Sequence, residues 1–200
     1  MAADHDQPRT KAEWRRLLRS QRSSILPETR ELEGRAITKA VASLPMVLPG
    51  KSVCCYVPFG SEPGSPDMLE VLHDAGARVL LPIVPAEPGA LDWALYDGPD
   101  SLADGPLPGL LEPAGRRLGP AAISDASQVL IPAVGVDHAG VRLGRGAGYY
   151  DRSLPLTAPK TDLIAIIRDL ELVPRLPAEG HDVRMTAALT PGTGLVMLPR

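Results

Sequence analysis

The stretch QVLIPAVGVDHAGVRLGRGAGYYDR, residues 128–152, decides how the rest of the chain is read. Its first seven residues are almost wholly apolar and do not alternate, the pattern of a strand covered on both faces. DLIAIIR (162–168) repeats that pattern. Such strands belong to parallel sheets, and the segments around them agree. SVCCYVP (52–58) predicts the first strand and RVLLPIV (78–84) the next, with SPDMLEVLHDAG (65–76) between them as a helix opened by Pro66 and stopped at Gly76. LDWALYD (91–97) alternates as a half-exposed strand does, and GLVML (194–198) predicts a short last strand. The class is therefore α/β, a mostly parallel central sheet flanked by helices.

Two helices precede the sheet. Thr10 caps the first, Glu13 stands at the capping-box position, and the helix runs to about Ser24. Trp14, Leu17, Leu18 and Gln21 share one face, with Lys11, Arg15, Arg19 and Arg22 as a basic stripe beside it. Taken alone, such a stripe reads as a solvated face. PETRELEGRAITKAVASL (27–44) opens with Pro and acids and continues at helical spacing. Residues 1–9 read as a disordered N-terminus, 10–200 as a single domain, and the Gly- and Pro-rich segment 98–120 as a long ordered loop.

Composition narrows the partners. The chain is 44% apolar and 22% charged, as ordinary globular proteins are. Its 21 basic residues are offset by 24 acidic ones, so no broad basic face for nucleic acid is expected. Cys54 and Cys55 are adjacent in a strand and point to opposite faces, which argues against a bridge and favours a reducing, cytoplasmic setting. MAADHDQPRT lacks the apolar segment of a signal peptide, and no apolar run approaches a membrane span. His73 and His138 have no metal-ligand spacing with the cysteines, so no zinc is assigned. No long exposed apolar helix face stands out, which favours a monomer.

The chemistry concentrates in RLGRGAGYYDR (142–152). In parallel sheets ligands collect at the carboxyl ends of strands, where this segment follows its strand. Gly144, Gly146 and Gly148 let a ligand approach backbone N–H groups closely, and Arg142 and Arg145 add charge-assisted donors for phosphate. Tyr149 and Tyr150 can stack on a heterocycle, and Asp151 can share Mg2+ with substrate phosphates. The run matches neither the dinucleotide fingerprint nor the Gly-Lys-Ser/Thr of a P-loop. Read alone, it is equally a glycine-rich turn with its arginines in water.

GVDHAGVRLGRGAGYYDR (135–152) resembles the signature of the 5-formyltetrahydrofolate cyclo-ligase family, the 5,10-methenyltetrahydrofolate synthetases. The family pattern is roughly F-D-x-x-G-x-R-L-G-R-G-x-G-Y-Y-D, with Val136 here where Phe is common. The family's N-terminal Lys-x-x-x-Arg matches Lys11 and Arg15, and its Tyr…Glu-x-x-Thr segment matches Tyr56 and Glu62, with Ser65 for Thr. GLLEP (109–113) and LPAEGHDVRMTAALT (176–190) also fit.

The resemblance implies a sugar-phosphate isomerase/CoA-transferase-like architecture. It also implies ATP- and Mg2+-dependent conversion of 5-formyltetrahydrofolate to 5,10-methenyltetrahydrofolate. Carried over residue by residue, it assigns ATP binding to Lys11, Arg15, Arg142, Leu143, Gly144, Arg145, Gly146, Ala147, Gly148, Tyr149 and Tyr150. Folate falls to Tyr56, Glu62 and Arg145 through Tyr149, metal to Asp151 and Asp182, and catalysis to Arg145 and Tyr149. Glu62 alone would be an ordinary surface acid. Three positions depart: Arg168 replaces an aromatic, Glu171 a Gln and Thr186 an acid, and Arg168 could pair with Glu171 across one turn. Two other readings remain open at this point. One is a relative that uses ATP on a different small compound; the other is a non-catalytic nucleotide- or RNA-binding module.

Overall fold

A computed structural model describes residues 9–45, 49–180 and 182–199. The expected disordered segment lies outside the described residues except for Arg9, whose guanidinium sits 5.1 Å from the Trp14 ring centroid. Helix α1, Lys11–Ser23, begins with the predicted reciprocal cap: Thr10 accepts from the Glu13 N–H while the Glu13 carboxylate accepts from Thr10. Helix α2, Pro27–Ala42, follows. The chain then enters β1 (Ser52–Cys54), α3 (Asp67–Asp74), β2 (Arg78–Ile83) and β3 (Asp92–Leu95).

The segment expected to be a loop, 98–120, contains the antiparallel hairpin of β4 (Leu102–Asp104) and β5 (Leu111–Pro113). Strands this short, rich in Gly and Pro, leave no periodicity to read. Strand β6 (Ala126–Pro132) leads to β7 (Gly135–Asp137), β8 (Arg142–Leu143) and the five-residue α4 (Tyr149–Ser153). Strand β9 (Asp162–Ile166), β10 (Leu172–Val173), β11 (Ala187–Thr190) and β12 (Gly194–Met197) complete the order.

Seven strands form the central sheet in the order β12-β11-β9-β6-β1-β2-β3. The inner five are parallel, and β3 and β12 close the edges antiparallel. Alternate residues feed two separate layers. Val53, Cys55, Leu130 and Ile164 meet Ile37, Val41, Met68 and Leu72 of α2 and α3 on one face. Cys54, Val129, Ile131 and Leu163 meet Trp93, Ile123 and Leu154 on the other. Both faces are covered, which is why β6 and β9 read as unbroken apolar runs. The adjacent cysteines lie in different layers, as expected, and burial pushes Cys55 up to about 12.

A second sheet, β10-β7-β8, sits beneath α1. There the sequence reading needs a correction. Leu17 and Gln21 are exposed, whereas Leu18 and Arg22 are buried, so the buried stripe of α1 is turned toward the arginines. Leu18 packs with Val134, Val141, Leu143, Val173 and Leu176. The rotation is possible because Arg22 meets a buried carboxylate, described below. Leu18→Ala removes the central apolar contact of α1 and should cost about 3 kcal/mol. A thermal melt should show Tm roughly 6–12 °C lower.

Candidate active site

The chain leaves β1 toward β2 and β3 on one side, then returns to β6 on the other and proceeds to β9 and β11. Connections that diverge in this way leave a crevice at the carboxyl ends of the two central strands. A cleft of about 410 Å³ lies there. Tyr56 and Val57 beyond β1, Pro82 and Val84 at the end of β2, and Pro132 and Ala133 at the end of β6 form its floor. Arg15, Arg19 and Arg22 of α1 make one wall, the hairpin residues Leu107, Leu110, Leu111 and Glu112 another. The glycine-rich loop from Gly144 to Asp151 closes the cleft.

The loop is held from below and from the side. Asp137, 1% exposed, accepts hydrogen bonds from the N–H groups of Ala139, Val141 and Leu176 at 2.8–2.9 Å. This fixes the turn that pairs β7 with β8. Arg15 Nε then donates to the Gly144 carbonyl at 2.9 Å, and Arg19 Nη2 to the Arg145 carbonyl at 2.6 Å. Gly146 (φ 109°) and Gly148 (φ 73°) take left-handed backbone that side-chain-bearing residues rarely adopt, so the chain can turn sharply into α4.

Two ion pairs line the cleft, one between the β1 side and the glycine-rich loop and one between the two ends of that loop. Arg145 Nη1 lies 3.1 Å from Glu62 Oε1, and its guanidinium sits 4.3 Å from the Phe59 ring centroid. Arg142 Nη2 lies 2.5 Å from Asp151 Oδ1 and 5.5 Å separates its guanidinium from the Tyr150 ring centroid. Burial raises the Glu62 carboxyl above its ordinary range, against the opposing pull of Arg145. Desolvation and the charges of Arg145, Arg15 and Arg22 hold Arg19 below its ordinary value. The α1 side of the cleft thus carries positive charge that its own surroundings do not fully offset. The Tyr150 hydroxyl is buried and has no hydrogen-bond partner among the described residues.

Most of the expected site residues converge here: Arg15, Tyr56, Glu62, Arg142, and Gly144 through Asp151 all line the cleft. The Tyr56 hydroxyl is already committed, donating to the Pro63 carbonyl at 2.6 Å. Leu143 is 2% exposed and packs against Leu18, so its side chain anchors the loop. Lys11 and Asp182 do not line the cleft; they face each other, Nζ to Oδ2 at 3.1 Å, with Glu179 at 3.2 Å. Partial burial pulls Lys11 down, but the hydrogen bonds and charges of Asp182 and Glu179 outweigh it and leave the amine raised. Asp151 and Asp182 therefore answer different cations. Among the described residues no group of three or more His, Cys, Asp or Glu is placed to hold a metal ion. His181 lies outside the described residues.

Sequence reasoning missed several lining residues. Arg22 was visible in the basic stripe, but nothing indicated its burial. Leu110, Leu111 and Glu112 fell within the matched segment GLLEP, and Phe59 and Leu107 beside matched residues, but nothing in the sequence pointed their side chains at the site. The three departures also resolve. Glu171 accepts from Arg22 Nε at 2.5 Å and Nη2 at 2.7 Å; Arg168 Nε donates to Glu33 at 2.7 Å. The within-turn ion pair of the Arg168 and Glu171 side chains, at 3.8 Å, is the longer one, while the Arg168 backbone N–H donates to Glu171 at 2.9 Å. Thr186 accepts from the Leu163 N–H at 2.9 Å where β9 meets β11.

Fold and cleft together give an α/β protein with a candidate small-molecule site at a sheet switch point. A family model, the 5-formyltetrahydrofolate cyclo-ligase family, matches residues 7–191, and the chain belongs to that family. It is 43% identical over 195 residues, 96% of this chain and 98% of the relative, to a 5-formyltetrahydrofolate cyclo-ligase of Mycolicibacterium smegmatis. It is 29% identical, over 88% of this chain and 97% of the relative, to the cyclo-ligase of Escherichia coli K12. The solved 5,10-methenyltetrahydrofolate synthetase of Aquifex aeolicus superposes with TM-score 0.75 at 25% identity, covering 95% of this chain and 93% of that one. The synthetase of Mycoplasma pneumoniae shares the fold, with TM-score 0.68 at 20% identity over 89% and 96% of the two chains.

Glu62→Gln tests the electrostatics directly. Burial makes ionised Glu62 a cost above its raised pKa, a cost that fades as pH falls through that value toward the unfolded one. At pH 7 the variant should melt no lower than the parent and up to about 3 °C higher. The difference should shrink on acidification.

Proposed function

We propose that the protein converts 5-formyltetrahydrofolate and ATP to 5,10-methenyltetrahydrofolate, ADP and phosphate. The observation that carries this reading is the Arg145–Glu62 pair facing across the cleft at the β1/β6 seam. The N5-formyl group is an amide, a poor electrophile with a poor leaving oxygen. Transfer of the γ-phosphoryl group to that oxygen gives an N5-iminium phosphate and ADP. N10 then attacks the formyl carbon, loses its proton, and the C–O bond breaks to release phosphate.

This chemistry asks for positioning and charge neutralisation. A carboxylate accepts two hydrogen bonds from an aminopyrimidine edge, so Glu62 is our choice for the pterin. In occupying Glu62 the pterin releases Arg145, whose planar guanidinium then meets the transferring phosphoryl group. Arg15, Arg19 and the Gly144–Gly148 backbone receive the nucleotide phosphates. Tyr149 and Tyr150 offer ring faces, and the unsatisfied Tyr150 hydroxyl a hydrogen bond. Asp151, half exposed in the cleft beside Arg142, fits a Mg2+ shared with the phosphates, since Mg2+ needs only one or two protein carboxylates there. That ion would supply charge neutralisation on the phosphates. Lys11 and Asp182, assigned to nucleotide and metal by the resemblance, would have to part from each other to take those roles.

The concave, largely apolar cleft, with three of its arginines paired to carboxylates, favours small molecules over RNA. The same reading makes the protein a monomeric cytoplasmic enzyme. Both cysteines are free and buried, which suits a reducing compartment, and no helix among the described residues is long and apolar enough to cross a membrane.

The deciding assay follows methenyl product absorbance and ADP release together. Both should appear with 5-formyltetrahydrofolate and neither with the 10-formyl isomer; the reverse pattern would overturn the proposal. Arg145→Lys keeps the charge and loses the fork, so kcat should fall by ~10²-fold or more with a smaller change in KM for ATP. Arg142→Lys loosens Asp151 rather than removing a charge. It should raise the KM for ATP and the Mg2+ concentration giving half-maximal rate, and full parental values for both would reject that role.

A further inference from the structure

We propose that Arg168 is a positioning residue for Glu62, acting through a buried charge network with Glu33, Glu171 and Arg22. The inference rests on the reading of Glu62 as the pterin-binding carboxylate. None of these four residues belongs to the matched signature, and Arg168 and Glu171 are points where this chain departs from the family pattern.

Glu62 sits on an irregular segment between β1 and α3, where no ladder of strand hydrogen bonds fixes its height over the cleft. Its own N–H donates to the Phe59 carbonyl and its carboxylate accepts from the Phe59 N–H, both at 3.3 Å, which closes a local turn; what holds that turn over the cleft are bonds to its two neighbours. Arg168 Nη1 donates to the Ser61 carbonyl at 3.0 Å, and the Tyr56 hydroxyl donates to the Pro63 carbonyl at 2.6 Å. Glu62 therefore lies between two side-chain clamps, one on each adjoining residue. Tyr56 emerges from β1, so its clamp moves with the sheet. Arg168 likewise stands two residues beyond β9, but its long, flexible side chain is oriented by further groups.

That orientation comes from two carboxylates. Arg168 Nε donates to Glu33 of α2 at 2.7 Å, and its backbone N–H donates to Glu171 Oε2 at 2.9 Å. Glu171, 3% exposed, is held in turn by Arg22, which also donates to the Ala133 carbonyl at 2.5 Å. Ala133 and Arg22 both line the cleft. The network thus runs from the cleft floor at the end of β6 to the carbonyl next to Glu62. Buried charges of this kind contribute little net stability over apolar packing, but they fix geometry closely when every member is satisfied. A shift of about 1 Å at a recognition group is enough to cost large factors in function.

The network reaches the Ser61 carbonyl beside Glu62 and, among the described residues, makes no hydrogen bond or ion pair with the glycine-rich loop, so its loss should fall on one substrate. Arg168→Lys can keep the ion pair with Glu33 but cannot also reach Ser61 with a second donor. Glu33→Gln keeps a hydrogen-bond acceptor and weakens the anchor. Steady-state kinetics of both variants, thermal melts, and calorimetric binding of 5-formyltetrahydrofolate without ATP form the test. In both variants the KM and Kd for 5-formyltetrahydrofolate should rise roughly 10-fold, with KM for ATP within about twofold, while Tm falls more for Glu33→Gln, which leaves a buried guanidinium short of a charge, than for Arg168→Lys. Unchanged folate constants, or both KM values rising together, would overturn the proposal. A parent protein that neither binds nor turns over 5-formyltetrahydrofolate overturns the functional reading and this one with it. A parent that does both, beside variants that keep its folate constants, overturns this one alone.

Discussion

The divergence of the chain about β1 and β6 is the constraint on which the rest of the structure depends. Strands leave β1 in one direction and β6 in the other, so no crossover covers the carboxyl ends of this pair. Everything that reaches the cleft does so by extending from that seam. The Glu62 segment continues β1, the Ala133 turn continues β6, and β7 and β8 carry the glycine-rich loop back over the opening. Helix α1 then lies across the small sheet and offers its arginines to the same space.

Holding those extensions without a sheet ladder requires side chains that bond to backbone. Asp137 takes three N–H groups, Arg15 and Arg19 each take a loop carbonyl, and Arg22 and Arg168 take carbonyls flanking the cleft. The arginines of α1 consequently have two duties, orienting the backbone and furnishing positive charge. Arg19 shows the tension between them, since neighbouring guanidinium groups crowd it. A polyanionic ligand relieves that crowding, while the protein alone does not.

The parallel sheet was legible in the sequence because burial on both faces erases alternation, as in VLIP of β6 and LIAI of β9. The capping box of α1 was legible because its chemistry is local. The rotation of α1 was not, because it depends on Arg22 meeting Glu171, a residue 149 positions away. The hairpin within 98–120 was hidden by its brevity, and β7, β8 and β10 by strands of two or three residues. At the site, the glycine-rich loop and Glu62 came from pattern and resemblance. Their mutual approach, and the engagement of Lys11 with Asp182, needed the fold.

The seam between β1 and β6 also governs when the cleft can exist. Ser52 pairs with Ala126, more than a third of the chain away, whereas β1 pairs with β2 after a short helical crossover. Closing the longer connection costs more chain entropy, and contacts of such separation form late and slowly. During synthesis β1 and β2 emerge first, with the β6 side of β1 still an open edge. The polypeptide must be extended through Ala133 before that edge is capped and the floor of the cleft is present. The floor of the cleft is thus also the junction that completes the sheet, so a nascent chain arrested before β6 carries an aggregation-prone strand edge in place of a cleft.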